Sequence, residues 1–183
     1  MKRNRKLTAW VAFTAMGAAL VTAAQYLGGL IPDIAVIFGP FSVRQLITGT
    51  LVNCVLLVFT ARAGLASGAV IGVLSAVLAG LLGISQLVLS PVVAAGNAIL
   101  CLVYWFLEER MNHISGVIAG AALKCGFLWL TAPLVLSIAG LPEKQAAMLS
   151  IMFSWPQFVT ALCGGLLAWS VLPRVRRRQR GNI

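Results

Sequence analysis

Asn53, Asn97, Lys124 and Gln157 are polar side chains deep inside long apolar runs of this 183-residue chain. Lys124 is the costliest of them. It is the single charge in GVIAGAALKCGFLWLTAPLVL, Gly116 to Leu136, a stretch about one bilayer long. A lysine at the centre of a spanning helix costs roughly 2.5 to 3.5 kcal/mol on insertion scales, so it faces a protein interior or a wet cavity that offers partners. Counted from the outer ends of the runs at 1.5 Å per residue, Asn53, Lys124 and Gln157 lie roughly 15 to 20 Å down and Asn97 about 10 Å down. Such a layer has two readings, a shared ligand or a hydrogen-bonded clamp that fixes helix register. Pro156 adds to this layer, since it lacks a backbone donor and frees a carbonyl beside Trp155 and Gln157. Trp129 and Trp155 can serve either as packing or as a ligand cage.

The same inventory does not assemble an enzyme. The apolar runs hold no acidic residue and no histidine, and no serine has a plausible base, so intramembrane proteolysis and metal-assisted hydrolysis lack their parts. Cys54, Cys101, Cys125 and Cys163 each fall within an apolar run, without CxxC spacing or a nearby histidine pair, which argues against both a disulfide frame and a metal site. No cofactor is expected. A phosphate-binding loop is absent, and with no buried carboxylate for proton coupling the chain has no evident means of driving uphill transport. It should bind, and another component should supply the energy.

The elements that position these residues follow from composition. With 60% hydrophobic residues, 10% charged residues and a mean hydropathy of +0.97, the chain cannot cover a water-soluble globule and reads as one integral membrane domain over residues 1–183. The formal charge of +10 would suggest nucleic acid in a soluble protein. Here it is concentrated in a leader, residues 1–6 with Lys2, Arg3, Arg5 and Lys6, and a tail, residues 173–183 with Arg174, Arg176, Arg177, Arg178 and Arg180. These ends suit the anionic headgroups of a lipid bilayer, and no nucleic-acid partner is expected. Basic residues accumulate on the cytoplasmic side, so both termini are expected inside, with an even number of crossings. The N-terminal run is long for a signal peptide and lacks a convincing cleavage site.

Six spans are expected: Leu7 to Leu27, Val43 to Thr60, Gly64 to Leu82, Ser90 to about Leu107, Gly116 to Leu136, and Gln145 to Leu172 interrupted at Ser154, Trp155, Pro156 and Gln157. The fold class is therefore an all-α membrane protein, a six-transmembrane-helix bundle with both termini cytoplasmic. Ala15, Ala19 and Ala23 recur every four residues in the first span and allow close helix approach, either within the bundle or to another subunit. Gly64, Gly68 and Gly72 place a similar stripe on the third span. Gly28 to Ser42 reads as an external lid with Arg44 and Gln45 behind it; Tyr104, Trp105 and Phe106 read as an interfacial belt, and His113 as a solvated loop residue.

The six-span pattern, the alanine stripe, and the segments ITGTLVNCVLLV, AGNAILCLVYW, LKCGFLWL and MFSWPQFVTALCGG, taken in that order, resemble the substrate-binding S component of an energy-coupling factor (ECF) transporter. The resemblance covers nearly the whole chain and rests on order and spacing more than on any one short motif. It implies a non-enzymatic subunit in a bacterial cell membrane that captures a vitamin or related micronutrient precursor from outside. It further implies assembly with a transmembrane coupling subunit and two ATPase subunits. The family's AxxxA docking motif maps onto Ala15 and Ala19, and its outer pocket among helices four to six admits Asn97, Lys124, Trp155 and Gln157. Asn53 lies on the second helix, which is not the family's main contributor. The alternative is a self-contained membrane scaffold or facilitator whose polar layer is only structural.

Overall fold

The computed structural model describes residues 2–32, 36–38, 41–83 and 85–173. The five C-terminal arginines, Asp33 and part of the expected lid (33–35, 39 and 40) lie outside these described residues. Seven helices dominate: α1 Lys2–Gly29, α2 Val43–Ala63, α3 Leu65–Leu81, α4 Ser90–Arg110, α5 His113–Ile138, α6 Glu143–Met152 and α7 Trp155–Val171. Five stretches are long and apolar enough to cross a membrane, the last of them running from Glu143 to Val171 through the α6–α7 break. Helix α3 is shorter, with 17 residues, or about 26 Å against a hydrocarbon core of about 30 Å. The chain is thus an all-α membrane-type protein.

The helix ends follow local chemistry. Ser42 accepts a hydrogen bond from the Gln45 backbone N–H at 3.3 Å and starts α2, and Asn112 accepts from the Ser115 N–H at 2.9 Å and starts α5. Gly64, with φ of 92°, makes the one-residue turn from α2 to α3, a backbone conformation that a side chain rarely adopts. The expected glycine stripe therefore loses its first member to a turn and keeps Gly68 and Gly72, both buried. Pro156 sits in the first turn of α7, where its missing N–H is tolerated, and the chain breaks just before it.

Two short strands, β1 Val36–Phe38 and β2 Phe41–Ser42, pair antiparallel within the segment expected as a lid. This small hairpin is an addition to an otherwise helical bundle. Its Phe41 is 3% exposed and meets the edge of Trp155 at a ring-centroid distance of 5.1 Å.

Helix α1 is the most outward-facing candidate span, with 17% of its most apolar window buried. It touches the bundle through Thr14, Gly17, Val21, Gln25 and Gly28, a three-or-four spacing that makes one stripe. Two polar ties fasten that stripe to α3: the Thr14 and Ser67 hydroxyls lie 2.9 Å apart, and Gln25 Nε2 donates to the Ser75 carbonyl at 3.0 Å. Ala15, Ala19 and Ala23 are exposed on the other side.

The bundle core is built from Leu56, Leu57, Phe59, Ile71, Leu100 and Tyr104. Tyr104 is fully buried, which corrects its assignment to an interfacial belt; Phe106 is exposed and carries the Arg110 guanidinium 3.8 Å above its ring. His113 is corrected as well. It opens α5 half-buried, with Nε2 2.9 Å from the Gly165 carbonyl and Nδ1 2.9 Å from the Tyr104 hydroxyl. A carbonyl only accepts, so Nε2 carries the proton in the neutral ring and Nδ1 accepts from the tyrosine. One imidazole thereby fastens α4, α5 and α7 at the end of the bundle opposite the hairpin.

Candidate functional site

The site is built where glycines let two asparagine-bearing helices come close. A Cβ on Gly164 of α7 would lie 2.7 Å from Asn53 Cβ and 2.8 Å from the Thr50 carbonyl oxygen of α2. A Cβ on Gly72 of α3 would lie 3.0 Å from Asn97 Cβ of α4. These approaches leave the amides of Asn53 and Asn97 facing inward, where Lys124 of α5 reaches both. Lys124 Nζ donates to Asn53 Oδ1 and to Asn97 Oδ1, each at 2.8 Å. All three residues are buried, with exposures of 2%, 1% and 2% for Lys124, Asn53 and Asn97.

Backbone carbonyls fix the direction of every bond around this lysine. Asn97 Nδ2 donates to the Gly72 carbonyl at 3.1 Å and to Ser75 Oγ at 3.2 Å, and Ser75 Oγ itself donates to the Gly72 carbonyl at 2.8 Å. Because the carbonyl can only accept, the Asn97 amide must turn its oxygen to Lys124. On the other side, Thr160 Oγ1 donates to the Gln157 carbonyl at 3.2 Å and accepts from Asn53 Nδ2 at 3.4 Å, which sets the second amide the same way. The lysine is thus solvated by two oriented dipoles and, among the described residues, has no carboxylate partner.

Lys124, Asn53 and Asn97 form the floor of a cavity of about 300 Å³. Its walls include Gln25 and Gly28 of α1, Gln45, Thr48 and Val52 of α2, Ser75 and Ala79 of α3, Val93 of α4, and Gln157 and Thr160 of α7. Near the connections it is lined by Gly29, Ser42, Arg44, Gly83, Ser85 and Gln86, and at the α6–α7 break by Leu149, Met152 and Phe153. This volume stands at the low end for small-molecule sites.

The sequence-expected residues divide clearly. Asn53, Asn97, Lys124 and Gln157 line one cavity, and the first three are directly bonded. Asn53, assigned the weakest place by family resemblance, is one of the two direct partners of the lysine. Trp155 is not among the lining residues; it is 39% exposed and seats Phe41 of the hairpin. Trp129 is 61% exposed and can form neither core nor cage here.

The carbonyl freed by Pro156 is that of Met152, four residues earlier. It accepts from Gln45 Nε2 at 3.1 Å and lies 3.5 Å from Gln157 Nε2, so the broken helix is tied to the mouth of α2.

Sequence reasoning missed Gln25, Thr48, Ser75 and Thr160. Gln25 could have been found as an uncharged polar residue near the end of an apolar run; the hydroxyls could not, because Ser and Thr bond to their own helix so often. Among the described residues, Gln25 Oε1, Gln45 Oε1 and Thr48 Oγ1 are buried without a hydrogen-bond partner. No cluster of His, Cys, Asp or Glu able to hold a metal ion occurs among the described residues, and the four cysteines are free. Comparison of the chain with protein-family models, with curated proteins and with solved structures finds no match in any of the three.

Proposed function

We propose that this chain is the membrane-embedded substrate-binding S component of an ECF-type importer, capturing a vitamin or related micronutrient precursor. The observation that carries the reading is the cavity itself: a buried lysine held by two oriented amides at its floor and unpaired polar atoms on its walls. A clamp that only fixed register would need the bonds and not the space. In this reading the chain crosses a bacterial cell membrane six times, α3 included and α6 with α7 as one broken crossing. Both basic termini then lie in the cytoplasm and the hairpin end faces outward. The cavity opens to the outside for capture, while a transmembrane coupling subunit and two ATPase subunits provide the work. Ala15 and Ala19, exposed on the least buried span, form the face that meets the coupling subunit. The chain itself performs no chemistry.

Copurification tests this reading. Protein extracted in mild detergent from its own membranes should carry a small molecule near one-to-one and retain a large membrane protein together with two ATPases. A protein that carries neither a small molecule nor a partner is a scaffold, and the proposal falls.

A further inference from the structure

The hydrogen-bonding valence of the cavity defines what can fill it. Lys124 Nζ has three positions and the protein occupies two, both with amide oxygens. The third is left for the occupant. Gln25 Oε1 is an acceptor, because its own Nε2 is committed to the Ser75 carbonyl, and Gln25 is 6% exposed. Gln45 Oε1 is an acceptor for the same reason, its Nε2 being committed to the Met152 carbonyl. Thr48 Oγ1, one turn along α2 from Gln45, is also unpaired. Gln25, Gln45 and Thr48, each with an unpaired oxygen, thus share the cavity lining with Lys124, and Ser75 is bonded from both sides, by Asn97 at its hydroxyl and by Gln25 at its backbone carbonyl.

Charge narrows the occupant further. Lys124 lines the cavity, and among the described residues no acidic side chain does. Of the four carboxylates in the chain, Glu108 and Glu109 end α4 at the far end of the bundle, Glu143 is exposed at the start of α6, and Asp33 lies outside the described residues. Two amides orient around an ammonium but do not neutralise it, and an unneutralised buried charge is costly.

We infer that the cavity binds a small organic monoanion that places its acidic group on Lys124 and offers at least two N–H or O–H donors to Gln25, Gln45 and Thr48. This rests on the substrate-binding reading above and deepens it. A neutral molecule would leave the lysine without a counter-charge. An anion without donors would leave the glutamine oxygens unpaired, the arrangement against which polar sites discriminate most strongly.

The probe is the small molecule that leaves the protein on denaturation after mild purification. It is identified by mass spectrometry, then added back as the pure compound and as its neutral methyl ester. The compound should be an acid with donor groups, and the ester should bind wild-type protein at least tenfold more weakly. In Lys124→Met that preference should collapse to about twofold or less. In Gln25→Met the acid-to-ester ratio should persist while both bind more weakly.

A released compound that is neutral or has no donor overturns the inference, as does equal binding of acid and ester by wild-type protein. Either result leaves the binding reading standing. The acid-to-ester comparison on wild-type protein needs no variant, so a failure of Lys124→Met to fold does not remove the test. Release of no compound at all counts against the binding reading itself, and the inference falls with it.

Discussion

At the scale of single residues, Lys124 couples stability to binding. Replacing it by Met retains most of the volume and removes a buried charge, so the variant should still insert, because an apolar residue suits that depth. Affinity for the copurifying compound should fall by about 1.5 to 3 kcal/mol, measured by calorimetry on the folded fraction. His113 offers a purely structural contrast at the other end of the bundle. His113→Phe leaves the buried Tyr104 hydroxyl and the Gly165 carbonyl without their partner and should destabilise the protein by about 1 to 3 kcal/mol. In a thermal-unfolding cycle, the double variant with Tyr104→Phe should lose less than the sum of the two single losses, since both share one bond. Strict additivity would show that the tyrosine–histidine bond contributes nothing to stability. Ligand affinity of His113→Phe should be unchanged.

At the scale of elements, helix crossings are set by which glycines touch backbone. Gly164→Ala would push a methyl to 2.8 Å from the Thr50 carbonyl and 2.9 Å from the Cys54 nitrogen, atoms that cannot rotate away. The expected cost is about 1 to 3 kcal/mol, and the shift should also disturb Asn53 and so the lysine. Gly126→Ala in α5, where an added Cβ meets nothing within 4 Å, should instead be neutral or stabilising by up to about 1 kcal/mol. Melting temperatures of the two variants, in the same detergent, should move in opposite directions or at least differ clearly. On α1, Ala15→Trp or Ala19→Trp should block assembly with the coupling subunit while leaving ligand binding intact, because both residues face away from the cavity. A pull-down paired with a binding titration reads both outcomes, and loss of ligand affinity with assembly preserved would reverse the assignment of faces.

At the scale of the whole molecule, the proposal depends on which way the bundle sits in the membrane. The basic residues at the start of α1 and in the tail beyond α7 set the expected orientation with both termini inside. Reporter fusions check it directly. A fluorescent protein joined at either terminus should be bright, as it is in the cytoplasm, and a phosphatase joined after Gly140, between α5 and α6, should be active outside. An active phosphatase at one terminus would show an odd number of crossings and would remove α3 or the α6–α7 pair from the count. The hairpin end would then need a new assignment, and with it the direction from which the cavity fills.

The apolar runs, the unpaired charge and the two basic ends are properties of composition and period, so the sequence alone determined a helical membrane protein with a costly lysine at its centre. Depth counting also placed Asn53, Asn97, Lys124 and Gln157 near one level, because a helix converts residue number into height at a constant rise. It could not supply rotation. Whether a side chain at a given depth faces the bundle or the lipid depends on how helices turn about their axes, and that is settled by contacts between distant segments. Trp129 and Trp155 turn outward for this reason, Tyr104 turns inward, and Asn53 meets the lysine because Gly164 allows α7 to press against α2. The unpaired oxygens of Gln25 and Gln45 belong to the same class of fact. An amide's free end is known only when a backbone carbonyl from elsewhere in the chain has taken the other, and Ser75 and Met152 are brought there by packing.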